Sequence, residues 1–146
     1  MYYKSFAISG GIVLSSFISI IGVIFAHIIM DLITADTFYL TATSLIGFIG
    51  LIGINSRNST LIIDFSKQLV HEKNLSINEA IAKATATRSK PIILTVLTMV
   101  SASALIANDA VFGGLGVALI GGTLISYVVS MFFVPVIIKN QLKKIL

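Results

Sequence analysis

Gly-Ile-Asn-Ser-Arg-Asn-Ser-Thr-Leu-Ile-Ile-Asp-Phe (53–65) places an arginine, Arg57, inside a stretch otherwise apolar enough to cross a bilayer. Fifteen uncharged, mostly apolar residues, Leu40 to Ile54, lead into it, and Leu61, Ile62 and Ile63 follow. A charge at bilayer depth costs about 2.5–3.5 kcal/mol on insertion scales. Chains tolerate it when the charge faces a bundle interior and meets a partner. Snorkelling is the alternative for a long cationic side chain. With about eight helical residues left before Phe65, the nearer interface is about 12 Å away, beyond comfortable reach. Arg57 therefore reads as a candidate transport or proton-relay residue.

The surrounding composition fits a membrane protein. The chain has 146 residues, 56% of them hydrophobic and only 11% charged, and its mean hydropathy is +1.02. Soluble domains of ordinary composition are nearer a quarter charged. Cysteine is absent, which excludes a disulfide framework and a thiolate metal site. The net charge of +4 is not a nucleic-acid footprint, because the basic residues flank apolar runs. The first apolar run is too long for the core of a cleaved signal peptide, about 7–15 residues.

Four spans follow from the apolar runs: about 6–30, 38–65, 91–107 and 115–138. Each matches a hydrocarbon core of about 30 Å at about 1.5 Å rise per residue, the third only marginally. The connections sort by charge. The first loop carries Asp31 and Asp36, and the third carries Asp109, with no Lys or Arg in either. The middle loop, 66–90, carries Lys67, Lys73, Lys83, Arg88 and Lys90. Lys4 precedes the first span, and Lys139, Lys143 and Lys144 follow the fourth. The positive-inside rule then places both termini and the middle loop in the cytoplasm. The expected fold is an all-α integral membrane protein: a single unit, 1–146, forming a four-span helical bundle. Within the middle loop, Ser76-Ile-Asn-Glu79 is a capping-box pattern. Ile77, Ala80, Ile81 and Ala84 share a face behind it, so a short amphipathic surface helix is expected in a loop that orders the turn between spans.

Small residues predict where spans touch. Gly47, Gly50 and Gly53 recur every three residues in the second span. Gly114, Ala118, Gly122, Ser126 and Ser130 recur every four in the fourth. Association in lipid depends on close backbone approach, so both ridges are expected to pack tightly against other helices. In the third span Thr95, Thr98 and Ser101 form a hydroxyl stripe. Each hydroxyl can bond its own helix four residues back, or the stripe can line a wet path beside Arg57.

Other polar residues have plainer readings. Asp64, two turns from Arg57 on the same helix face, suits an interfacial carboxylate. Asn58 is placed to bond across helices, Asn55 lies further round, and His27 is expected at the outer interface. No catalytic or metal-binding motif occurs, and no cofactor or enzymatic activity is expected.

The pattern from Thr41 to Phe65 resembles the tenth span of resistance-nodulation-division (RND) exporters of the acriflavine resistance type. Ala80-Ile-Ala-Lys-Ala with Arg88-Ser-Lys-Pro-Ile-Ile-Leu-Thr95 is similar to the eleventh span and its approach. Gly121-Gly-Thr-Leu-Ile-Ser with Phe133-Val-Pro-Val is similar to the twelfth, and Ile21-Gly-Val with His27 to the ninth. The resemblance covers essentially the whole chain in the right order.

It implies a block of a proton-driven permease that exports drugs, lipophiles or metal ions across the bacterial inner membrane. Its implied partners are the lipid bilayer, the N-terminal half of the permease, and a trimer docked to a periplasmic adaptor and an outer-membrane channel. Arg57 takes the place of the basic residue that pairs with a carboxylate couple on the fourth span. Thr95 takes that of a relay threonine, and Arg88 that of the arginine at the cytoplasmic entrance. Asn58, Asp64 and Thr98 are supporting candidates.

The sequence also departs from that family. It holds neither the carboxylate couple nor the large extracytoplasmic substrate domains; the loop Asp31–Thr37 is the longest outside segment. Phe17 stands near a proline usual in the ninth span. Activity is thus expected only with a complementary N-terminal half. An inactive truncated remnant stays open as an alternative. So does a self-sufficient four-span oligomeric exporter of the small multidrug resistance type, although the acidic residue of that type's first span is absent here.

Overall fold

A computed structural model describes residues 6–34 and 39–145. The chain folds as four helices: α1 (Phe6–Thr34), α2 (Ala42–Lys73), α3 (Ile77–Ile106) and α4 (Gly113–Ile145). All four are long and apolar enough to cross a membrane, and no strand occurs among the described residues. Helices meet the demand of lipid that every backbone polar group be satisfied within the segment.

The helix ends carry their own stop and start signals. Thr41 caps α2 in a reciprocal box with Ser44, and Asn74 closes it in the left-handed conformation at φ 49°. Ser76 caps α3 with Glu79, as the sequence pattern predicts. The region 66–90 differs from expectation. Instead of a loop with a separate surface helix, it holds the end of α2 and the start of α3, joined only by 74–76. The expected amphipathic face is the first part of α3, burying Ala80, Ile81 and Ala84. Pro91 does not begin that helix but lies inside it. Its missing N–H leaves the Thr87 carbonyl without its helical donor, and its ring crowds that carbonyl.

α2 and α4 form the central pair, each touching the other three helices, while α1 and α3 lie diagonally apart. The hairpins bring Ile8, Ile62, Ile63, Ile92, Val134 and Ile138 into one buried cluster at the basic end. Lys67, Lys73, Lys83, Arg88, Lys90 and Lys139 belong to that end, and Asp31 and Asp109 to the other. Lys4 and Asp36 lie outside the described residues, as do the side chains of Lys143 and Lys144.

Glycine sets the closest crossing. A Cβ added at Gly22 would stand 2.6 Å from the Gly121 carbonyl oxygen, and one at Gly121 would strike Ala26 and the Gly22 backbone. The α4 ridge packs as expected. Gly114 lies against the Thr41 and Ser44 hydroxyls, Ala118 against Gly47, and Gly122 against Leu51. The α2 ridge divides: Gly47 is buried, whereas Gly50 and Gly53 face open space. His27, near the outer end of α1, packs inward against α2. It is 5% exposed, with Nδ1 2.8 Å from the Val23 carbonyl and Nε2 2.9 Å from Ser44 Oγ. The carbonyl can only accept, so Nδ1 donates to it, while Nε2 and Ser44 Oγ share the second hydrogen bond.

Asp109 organises the turn into α4. Its carboxylate accepts from the Val111 and Phe112 amides at 2.8 Å each. Those bonds, Phe112 first, hold its pKa below the ordinary 3.8. A depressed carboxylate pKa stabilises the fold fully above the unfolded value and loses that contribution as pH falls through the folded one. Asp109→Ala is therefore expected to lower thermal stability in detergent at pH 7. The gap from the native chain is expected to narrow on acidification below the ordinary value; a gap that stays constant or widens in acid contradicts this role.

Candidate functional site: a mid-helix arginine on an open face

Arg57 lies at the middle of α2, with 15 helical residues before it and 16 after. Lys73 at the helix end is about 24 Å away along the axis, and Ala42 about 22 Å. The guanidinium belongs to an exposed residue, and among the described residues no hydrogen bond or ion pair engages it. Gly53 and Gly50, one and two turns before it, are exposed on the same side. Asp64, two turns after it, is half-buried and has a partner of its own. The open face of α2 therefore presents two bare glycine backbones, a central cation and a carboxylate near the basic end.

The structure brings Asn58 and Thr95 together. Both line a tight cleft between α2, α3 and α4, with Ile54, Val96, Met99, Thr123 and Ser126. Asn58 is 7% exposed, and Thr95 is exposed on the outer side. Thr95 donates 3.0 Å to the Pro91 carbonyl, and Thr98 donates 2.9 Å to the Thr95 carbonyl. In this chain both hydroxyls thus bond their own helix, and their remaining lone pairs stay available to accept. Arg88 is not beside Arg57. Its guanidinium carbon stacks 4.9 Å over the Phe65 ring, joining the first part of α3 to the end of α2, and its Nε is buried without a partner.

One cluster was not foreseen as a unit. Asn55 is fully buried and bonds four serines: Ser15 and Ser16 on α1, Ser126 and Ser130 on α4. Its signals are an Asn in an apolar run, a serine doublet, and a serine pair four residues apart. Their meeting depends on how α1 and α4 align with α2. Phe17, noted above as standing near a usual proline position, packs its ring 6.4 Å from that of Phe48.

The family model described as AcrB/AcrD/AcrF matches residues 1–139. This chain belongs to the AcrB/AcrD/AcrF family. It is thus a multi-pass membrane protein of the RND permease class, and the resemblance read from the four spans holds. Multidrug resistance protein MdtC of Erwinia amylovora is 32% identical over 99 residues, covering 64% of this chain and 10% of that protein. The chain spans about a tenth of the length of that curated relative. RND permeases are transporters, so the polar residues above are read for transport chemistry. Among the described residues no group of three or more His, Asp or Glu is placed to hold a metal ion.

Proposed function

We propose that this chain is the ninth-to-twelfth-span block of a proton-coupled RND efflux permease. It exports drugs, lipophiles or metal ions across the inner membrane when joined by the preceding spans of the permease. The observation that carries the reading is Arg57, a cation at the midpoint of a membrane helix, on its open face, unengaged among the described residues. A carboxylate couple on an incoming span supplies its counter-charge. Arg57 favours the ionised carboxylates, and protonation releases the pairing. Helices then settle in a second arrangement, which couples proton entry to a conformational step.

Thr95 acts as the relay hydroxyl, Asn58 and Thr98 support it from the neighbouring positions, and Arg88 marks the cytoplasmic entrance. Asp64 sits near that entrance on the Arg57 face. The charge sorting between the two bundle ends supports cytoplasmic termini. The family supports assembly as a trimer with a periplasmic adaptor and an outer-membrane channel.

The test is resistance in a pump-deleted host. Coproducing this chain with a polypeptide that carries the preceding spans is expected to raise resistance to at least one family substrate, while neither part alone does so. Both parts present in the membrane without resistance across drugs, lipophiles and metal ions would point to an inactive remnant.

A further inference from the structure

The Asn55 cluster joins three helices at one point. Nδ2 donates to Ser15 Oγ and Ser16 Oγ, at 3.2 Å each. Oδ1 accepts from Ser126 Oγ and Ser130 Oγ, at 2.9 Å each. Those four bonds fill the two donors and two acceptor sites of the amide. Ser15 and Ser16 donate onward to the Ile12 carbonyl at 2.7 and 3.0 Å. Asn55 and all four serines are buried, at 2% exposure or less.

The apolar contacts beside this cluster do not define a register so sharply. The α4 ridge repeats a small residue every four positions, from Gly114 to Ser130. Leu51 and Gly47 meet successive members of it. A slip of α2 by one repeat along α4 would again set side chains against small residues, and would move Arg57 by about 6 Å in depth. The amide admits no such slip, because its directional bonds to two further helices cannot all be remade. A buried polar residue that fixes register among otherwise interchangeable apolar contacts is a known device in helix assemblies. Asn55 and Arg57 are two residues apart, about 200° round the helix. The amide grips α1 and α4 from the side of α2 opposite the arginine.

We propose that Asn55 is a positioning residue: it fixes the depth and rotation of α2 against α1 and α4, and so sets where Arg57 is presented on the open face. Its importance for transport rests on the reading of Arg57 given above, but the clamp itself is measurable without transport.

The chain has no cysteine, so labels can be introduced without background. Gly53 on α2 is open, and Val136 on α4 is exposed and lies about three turns further along the bundle axis, so an axial slip changes their separation and they are suitable nitroxide sites. Pulsed EPR on the doubly labelled chain in nanodiscs is expected to give one narrow distance. Asn55→Val is expected to broaden it or add a population displaced by up to about 6 Å, with helicity unchanged. The exchange Asn55→Ser with Ser126→Asn returns an amide to the cluster and is expected to restore a single narrow distance. Should Asn55→Val not fold, Ser126→Ala with Ser130→Ala removes only the α4 side of the clamp and is expected to broaden the same distance.

A native distribution in whichever of these variants folds overturns the proposal, whatever transport does. A broadened distribution that the exchange fails to narrow overturns it too. A displaced distance alongside full transport by Arg57→Ala in the completed permease supports the clamp and defeats the functional reading of Arg57 instead.

Discussion

Gly121→Val is expected to part α1 from α4 and cost the bundle about 3 kcal/mol of stability. A side chain at 121 would run into Ala26 and the Gly22 backbone, and the reciprocal position is as tight, with Ile125 2.7 Å from an added Cβ at Gly22. Backbone cannot rotate out of the way as a flexible side chain can. Overpacking typically costs about 1–3 kcal/mol, occasionally more, and two branched methyls at a backbone crossing belong at the upper end. A loss of that size changes the folded-to-unfolded ratio by about five- to thirtyfold for each one to two kcal/mol. Denaturant titration in bicelles measures it. Gly10→Ala is the control, because nothing lies within 4 Å of a Cβ there. Gly50→Ala is likewise expected to leave the isolated bundle intact, but to weaken docking of the preceding spans if they pack on the open face of α2. Equal stability of Gly121→Val and Gly10→Ala would show that the α1–α4 crossing is looser than described.

Arg57→Ala is expected to abolish efflux by the completed permease, while Arg57→Lys retains a substantial part. For a cation about 6 Å from a carboxylate, at an effective dielectric constant near 20, the attraction is about 2.8 kcal/mol. Since about 1.36 kcal/mol is a tenfold change, this amounts to about a hundredfold in the balance between ionised and protonated carboxylate. Without the cation the couple holds its proton too readily and the second half of the cycle stalls. Lysine keeps the charge but loses the planar fork, so geometry suffers more than electrostatics. Transport should therefore fall by about a hundredfold in Arg57→Ala and by about tenfold or less in Arg57→Lys. Membrane abundance of each variant is measured alongside. Equal losses in both variants at native abundance would assign Arg57 a packing role rather than a charge role.

The features readable from the sequence were those that one dimension contains. The four apolar runs, the sorting of lysine and aspartate between connections, and a lone arginine within a span need no knowledge of neighbours. The Ser76–Glu79 cap is equally local. The ends of α2 and α3 were not readable, because a helix that continues past its apolar run carries no apolar signal there. Lys67, Lys73 and Lys83 looked like loop residues for that reason. Contacts between helices were readable only in part. The α4 ridge packs along its length, yet Gly50 and Gly53 remain open while the isolated Gly22 forms the tightest crossing. Asn58 looked the better placed of the two asparagines to bond across helices, yet Asn55 makes those bonds. Which one meets the serines depends on the alignment of antiparallel α1 and parallel α4, information that no single span carries. The burial of His27 against Ser44 was hidden for the same reason.

The most direct test of the central claim is proton movement driven by substrate. Proteoliposomes would carry this chain with the polypeptide bearing the preceding spans, and a pH-sensitive dye would report the lumen. Substrate addition is predicted to dissipate an imposed pH gradient with native Arg57 and not with Arg57→Ala, at equal protein content. Substrate-driven proton movement that persists undiminished in Arg57→Ala would contradict the account.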